Sequence, residues 1–363
     1  MDIRHIEIGE QDRLSTRHPE FLEQHPELSR PVLVDGNLED ADFPYLFYAI
    51  DKGRIASYFG SFPDTLINGD RALRWAWNGN LYTEPAFRGR GIAQAIIQHQ
   101  LSEFARRNVI WGGVFSSPAA LRLYKRMKFC MLGYAPRLCL LRNIRPFLRY
   151  HIHNQVLVSG AGRAFDIVFA ASHRLLFRAS DFEQRYHIEV IDGPMFAVLL
   201  DRHPLVMPEK FHWSGSAAWF EKRRAARGID NICTVRRRGD TAPCAFLIVR
   251  DRILQKSPIK GKYTGIKMMS IMEFGQFDQE TNVADALVGA SLVLFGRSDA
   301  DLIEFVTSSP SIRAAARRRG YFPLGDGMSF KFMAPVGNPL YGVETTIADW
   351  HLSHYSGDAF GFE

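Results

Sequence analysis

Cysteine is scarce. The 363 residues include four, Cys130, Cys139, Cys233 and Cys244. None forms a C-x-x-C pair or stands at zinc-ligand spacing from a histidine, so the sequence indicates neither a metal site nor a disulfide framework. Long apolar runs are also missing. The most apolar later stretch, Ala164 to Phe177, is broken by Asp166, His173 and Arg174 and is too short to span a bilayer. The N-terminus, Met1-Asp2-Ile3-Arg4-His5, does not read as an export signal, and a cytoplasmic location is the expectation. There is no long block of like charge either. Lys222-Arg223-Arg224, Arg236-Arg237-Arg238 and Arg317-Arg318-Arg319 are short, and a net charge of +6 suits a solvated basic surface or a phosphorylated cofactor as well as nucleic acid. Nucleic acid is therefore not indicated as a partner.

What is present describes a folded chain. With 46% hydrophobic and 23% charged residues, it has the composition of a globular protein, and its length exceeds what one core usually serves. Short apolar and period-2 runs at Ile3–Ile8, Tyr45–Ile50, Ile55–Phe62 and Leu73–Thr83 predict strands. A helix should begin near Gly91, because Ile92, Ala95, Ile96, Leu101 and Ala105 recur at helical spacing before Arg106-Arg107. A strand at Val109–Phe115, a helix over Ala119–Lys128 and a strand pair from Phe129 to Leu141 follow. Residues 142–180 read as a connector with a packing helix.

The same order then returns: strands near Asn231–Val235, Pro243–Leu254 and Gly265–Phe277, a helix Asn282–Phe295, a strand Leu302–Val306 and a helix Ser311–Arg319. Ser117 and Ser309 stand 192 positions apart, and this offset carries Phe87–Phe129 onto Gln279–Tyr321 without a gap. Self-similarity over a whole supersecondary unit predicts two copies of one α/β fold, each a mixed central sheet flanked by helices. The expected organisation is a first domain at 1–145, a connector at 146–180, a second domain at 181–340 and a tail at 341–363.

The chemistry should lie in Asn80 to Ala93, a strand that runs through Thr83-Glu84-Pro85-Ala86-Phe87 into Arg88-Gly89-Arg90-Gly91 and opens a helix. Glycines let backbone N–H groups approach a pyrophosphate, the helix end offers unpaired donors, and two arginines add charge. Downstream stands Ser117-Pro118-Ala119-Ala120-Leu121-Arg122-Leu123-Tyr124 with Phe129 closing the unit. Together these segments resemble the cofactor-binding half of the GNAT acyltransferase superfamily, over residues 3 to 141.

The resemblance implies acetyl-CoA or another acyl-CoA as co-substrate. Its pyrophosphate would lie on Arg88, Gly89, Arg90, Gly91, Ile92 and Ala93. It further implies a strand splayed by a bulge, with Thr83 where backbone groups bind the pantetheine arm and polarise the thioester. Ser117 would contact the cofactor arm, and Tyr124 would protonate the departing thiolate. Lys128 departs from the family, which often has glycine before the phenylalanine. No general base is legible: Glu84, Asp35, Glu39 and Asp42 are ordinary loop charges.

In the second copy, Glu280, Val283 and Ala316 replace Arg88, Gly91 and Tyr124, so that copy should not bind CoA in the usual way. Its aromatic segments, His212-Trp213 and Trp350-His351 to Tyr355, are expected to pack at a domain interface. The expected activity is N-acylation, most simply N-acetylation, of a small-molecule primary amine such as an amino sugar or cell-envelope precursor. The alternatives are a Fem-like aminoacyl-tRNA-dependent transferase and a non-catalytic acyl-CoA-binding scaffold. Oligomeric state is not legible.

Overall fold

A computed structural model describes the chain except for residues 11–12, 14–15, 25–41, 115, 150–151, 153–154, 177–178, 214, 226–229, 254–264, 279–282, 325–326 and 357–363. The first half contains β1 (Asp2–Glu7), α1 (Pro19–Gln24), β2 (Pro44–Asp51), β3 (Arg54–Asn68), β4 (Arg71–Thr83), α2 (Ile92–Arg106), β5 (Ile110–Val114), α3 (Pro118–Arg126), β6 (Cys130–Ala135) and β7 (Arg137–Leu141). The connector supplies α4 (Arg145–Leu148), α5 (Gln155–Leu176) and α6 (Ala179–Arg185). The second half continues with β8 (Tyr186–Ile191), α7 (Gly193–Arg202), β9 (Phe211–Trp213), α8 (Ala217–Ala225), β10 (Asn231–Arg237), β11 (Ala245–Ile253) and β12 (Lys267–Gln276). It ends with α9 (Val283–Arg297), β13 (Leu302–Val306), α10 (Pro310–Arg318), β14 (Phe322–Pro323) and β15 (Met328–Met333).

The repeat is structural. Shifted by 192 positions, β5 coincides with β13 and α3 with α10, residue for residue. Both copies build the same parallel unit, β4–α2–β5 and β12–α9–β13. The sheets, however, do not divide at the expected boundaries. The first runs β1-β2-β3-β4-β5-β15-β6, with β9 on β3, and the second runs β14-β7-β13-β12-β11-β10-β8. The two copies exchange their last strands: β15 enters the first sheet between β5 and β6, and β7 enters the second beside β13. Equivalent strands of similar shape compete for equivalent slots, which is why periodicity alone cannot assign them.

Among the described residues, three large cores and a small cluster around Cys139 and Met268 surround the two sheets. One lies under α2 and α3, where Ile92, Ile96, Ile97, Phe104, Leu123 and Tyr124 cover Ala76 and Trp111. A second lies under α9 and α10. Between the sheets lies an aromatic core containing Trp75, Trp77, Trp213, Phe246, Phe330 and Trp350. Trp213 and Trp350 thus pack at the interface, as expected; Trp77 and Trp213 meet at 4.6 Å between ring centroids. Gly112 is required here, since a Cβ at that position would stand 1.8 Å from the Trp75 ring.

The tail closes the second copy from within. Ser308 donates to the carbonyl of Trp350, and Leu352 N–H donates to Ser308 Oγ at 2.9 Å. His351 lies buried between Glu273 at 2.9 Å and Glu209 at 3.5 Å. Burial would lower its pKa, but the two carboxylates outweigh that and raise it to about 10.

Candidate active site

Strand β4 leaves β5 early. The parallel pairing covers only Trp75↔Ile110, Ala76↔Trp111 and Trp77↔Gly112, and from Asn78 onward the β5-facing edge of β4 has no strand partner among the described residues. Opposite β3, the register slips between Tyr58 and Gly60, so that Asn80 and Leu81 bulge from β4; Asn80 adopts φ 58°. A bulge bends its strand and re-aims backbone groups. The result is an opening in the ladder between two otherwise parallel strands.

At the head of this opening the chain makes a single 3-10 turn, Pro85–Phe87, and then the glycine turn. Gly89 and Gly91 hold φ of 79° and 77°, and nothing lies within 4 Å of where their Cβ atoms would be. Glycine is thus used for conformation here, in an open, solvent-facing loop. Helix α2 starts directly from Gly91, with no side-chain cap and no acidic residue in its first turn. Its first N–H groups and the positive end of a 15-residue helix remain available to an anion. By contrast, α3 is capped by Ser117 and α7 by Asp192.

The residues singled out by sequence converge on this place in most respects. Arg88 Nε donates to the Thr83 carbonyl at 2.9 Å, which ties the turn to the end of β4. Arg90 stacks over the Phe87 ring at 5.2 Å and stands 3.7 Å from Asp51. Ile92 is buried as an anchor of α2, while Ala93 is half-buried. Thr83 ends β4. Its carbonyl is taken by Arg88 and its hydroxyl pairs with Ser57 Oγ at 2.9 Å, whereas the bulge falls at Asn80 and Leu81. Ser117 Oγ accepts from Ala120 N–H at 3.2 Å and keeps its own proton free to donate outward from an exposed position.

Tyr124 is 3% exposed and packs against Trp111 and Phe129 at 5.2 and 5.1 Å. Burial pushes its pKa upward, so the phenol stays protonated at neutral pH. Lys128 adopts φ 62°, the left-handed turn that glycine would favour, and its counterpart Gly320 has φ 88°. The turn is therefore the same in both copies.

One residue escaped the sequence reading. Lys331, on the exchanged strand β15, is 1% exposed, and its Nζ lies 5.0 Å from the centre of the Tyr124 ring. Nζ is buried without a hydrogen-bond partner, and burial lowers its pKa to about 7. In Met328-Ser329-Phe330-Lys331-Phe332-Met333, alternation reads the lysine as lying on a solvent face. Only insertion between β5 and β6 covers it.

Among the described residues, the second copy differs at the positions that match the first copy's turn and tyrosine. Val283 is buried at the start of α9, Asp285 in its first turn pairs with Arg318 at 3.1 Å, and Ala316 is buried in place of the tyrosine. Glu280 lies outside the described residues, as do Asp35 and Glu39. Asp42 pairs with Arg107 at 3.3 Å, outside any acid–base arrangement.

Residues 11–129 match the family model for the acetyltransferase (GNAT) family. That stretch, a third of the chain, is similar to the GNAT acetyltransferases. Solved structures share the fold over 92% of this chain. One is a GCN5-related N-acetyltransferase from Anabaena variabilis, 13% identical, 73% covered, TM-score 0.52. Another is a probable N-acyltransferase from Enterococcus faecalis, 10% identical, 72% covered, TM-score 0.53. A third is the Saccharomyces cerevisiae N-myristoyltransferase with bound myristoyl-CoA, 8% identical, 82% covered, TM-score 0.53. No curated protein matches the sequence. Among the described residues, no helix is long and apolar enough to cross a membrane.

Proposed function

We propose that this GNAT-like domain transfers an acyl group, most simply acetyl, from CoA to a primary amine by direct attack. The observation that carries the reading is the uncapped N-terminus of α2 behind an open Gly89–Gly91 turn, set at the mouth of the splayed β4 and β5. Arg88, Gly89, Arg90, Gly91, Ile92 and Ala93 would hold the pyrophosphate through backbone N–H groups and charge. The pantetheine arm would run into the opening past the bulge, along the edge of β4 that has no strand partner among the described residues, and Ser117 would donate to it from the other side. A fold relative holds myristoyl-CoA, which supports the use of this architecture for an acyl-CoA.

Oriented donors at the thioester and a fixed attack geometry would supply most of the acceleration. Tyr124 would give its proton to the leaving thiolate. A phenol kept protonated by burial is suited to that role, and the amine's proton can leave to water. The second copy, with Asp285 in the first turn of α9 and alanine in place of the tyrosine, would serve as a scaffold that supplies β15 to the working sheet.

The test is calorimetric titration with acetyl-CoA of wild-type protein and an Arg88→Glu, Gly91→Val double variant, which places the second copy's residues in the first. Micromolar binding that disappears in the variant supports the site; no binding to wild type refutes it. With an amine acceptor in hand, Tyr124→Phe should lower kcat by roughly 10²-fold while leaving acetyl-CoA affinity unchanged.

A further inference from the structure

We propose that His5, His99 and Glu103 form a divalent transition-metal site, with zinc the best-suited ion, that clips strand β1 to the outer half of helix α2. The three side chains come from two elements. His99 and Glu103 are four residues apart on α2 and share a face, while His5 projects from the edge strand β1. One ligand atom from each lies within 4.8 Å of the others.

The geometry suits coordination better than a hydrogen bond. His5 Nδ1 and His99 Nε2 are 3.5 Å apart, at the outer limit for hydrogen bonding. Two nitrogens on tetrahedral zinc, each bound at about 2.0–2.1 Å, stand roughly 3.3–3.4 Å apart. The rings are held in place by Phe47, whose centroid lies 5.5 Å from His5 and 5.9 Å from His99. Glu103 is buried, and Arg106 engages only its Oε1, leaving the second carboxylate oxygen for a metal.

Charge in the neighbourhood works in both directions. Burial, then His99, Arg107 and Arg106, lower the pKa of His5, and burial and Arg106 lower that of His99, the direction that favours imidazole ligands. The same arginines oppose a dication, while Glu7, paired with Arg107 at 2.8 Å, offsets one of them. Two imidazoles and a carboxylate are a set that zinc accepts, with a fourth position left to water. The site lies seven residues, or about 10 Å, along α2 from its pyrophosphate end. Its role is thus to fasten the cofactor helix to the sheet edge.

Tag-free protein carrying Cys130→Ser, to remove the exposed thiol, would be stripped with EDTA and titrated with ZnSO4 by calorimetry. The expected result is one site per chain with a micromolar or tighter dissociation constant and a raised unfolding temperature. His99→Ala and His5→Asn should each weaken binding at least tenfold. Absence of a one-to-one site, or unchanged zinc affinity in both histidine variants, overturns the proposal. His5→Asn, at the sheet edge, decides the matter alone if His99→Ala fails to fold.

Discussion

Replacing Lys331 with methionine should stabilise the protein, and by an amount that depends on pH. The stem keeps its volume and apolar contacts, while the buried Nζ, which has no hydrogen-bond partner, is removed. A lysine whose pKa falls from 10.5 unfolded to about 7 folded binds fewer protons in the native state between those values. Wild-type stability therefore rises with pH across that window, at up to about 1.4 kcal/mol per unit. Below pH 7 the amine must be charged in both states, and the full penalty applies, on the order of 3–5 kcal/mol.

Lys331→Met should exceed wild type by roughly that amount at pH 6 and by about 2 kcal/mol at pH 9. The assay is urea unfolding of both proteins at pH 6, 7.5 and 9. His351, whose raised pKa gives the opposite slope between 6.5 and about 10, is common to both proteins and cancels in the difference. A gap that does not change with pH, or a variant less stable than wild type at pH 6, would refute the reasoning. Either would mean that the ammonium has a stabilising partner in the folded protein.

Two further outcomes follow from the packing. Lys128→Gly should raise stability by about 0.5–1 kcal/mol, because a left-handed φ costs a lysine roughly 1–2 kcal/mol and glycine gives back part of that through unfolded-state entropy; an unchanged or lower unfolding midpoint would show that the turn carries no strain. His351→Leu should destabilise by about 3–5 kcal/mol, since it leaves Glu273 and Glu209 buried without their shared cation. Acid should narrow that deficit as the stranded carboxylates are neutralised, and a deficit independent of pH would count against the ion-pair explanation.

Much of the first half was legible along the chain because its signals are local. The Arg88–Gly91 turn, the α2 periodicity and the Ser117-Pro118 helix start each act over a few residues, through backbone conformation and amphipathic spacing. The repeat was legible for the same reason: an offset of 192 positions preserves a whole strand–helix–strand–helix unit, and β5 and α3 fall on β13 and α10. The differences between the copies at Val283 and Ala316 were legible for the same reason, because single substitutions are read without distant partners.

What only the tertiary structure decided concerns partners remote in sequence. The exchange of β7 and β15 is a choice between equivalent slots, and hydrophobic alternation is identical for either. That choice buries Lys331 and brings it beside Tyr124 from more than 200 positions away. His5 and His99 meet across β1 and α2, although no sequence spacing marks them as a pair. The bulge falls at Asn80 and Leu81 because ladder register is set by the neighbouring strand. Short-range conformational preference is written residue by residue, whereas burial and pairing are set only when the whole chain has chosen its neighbours.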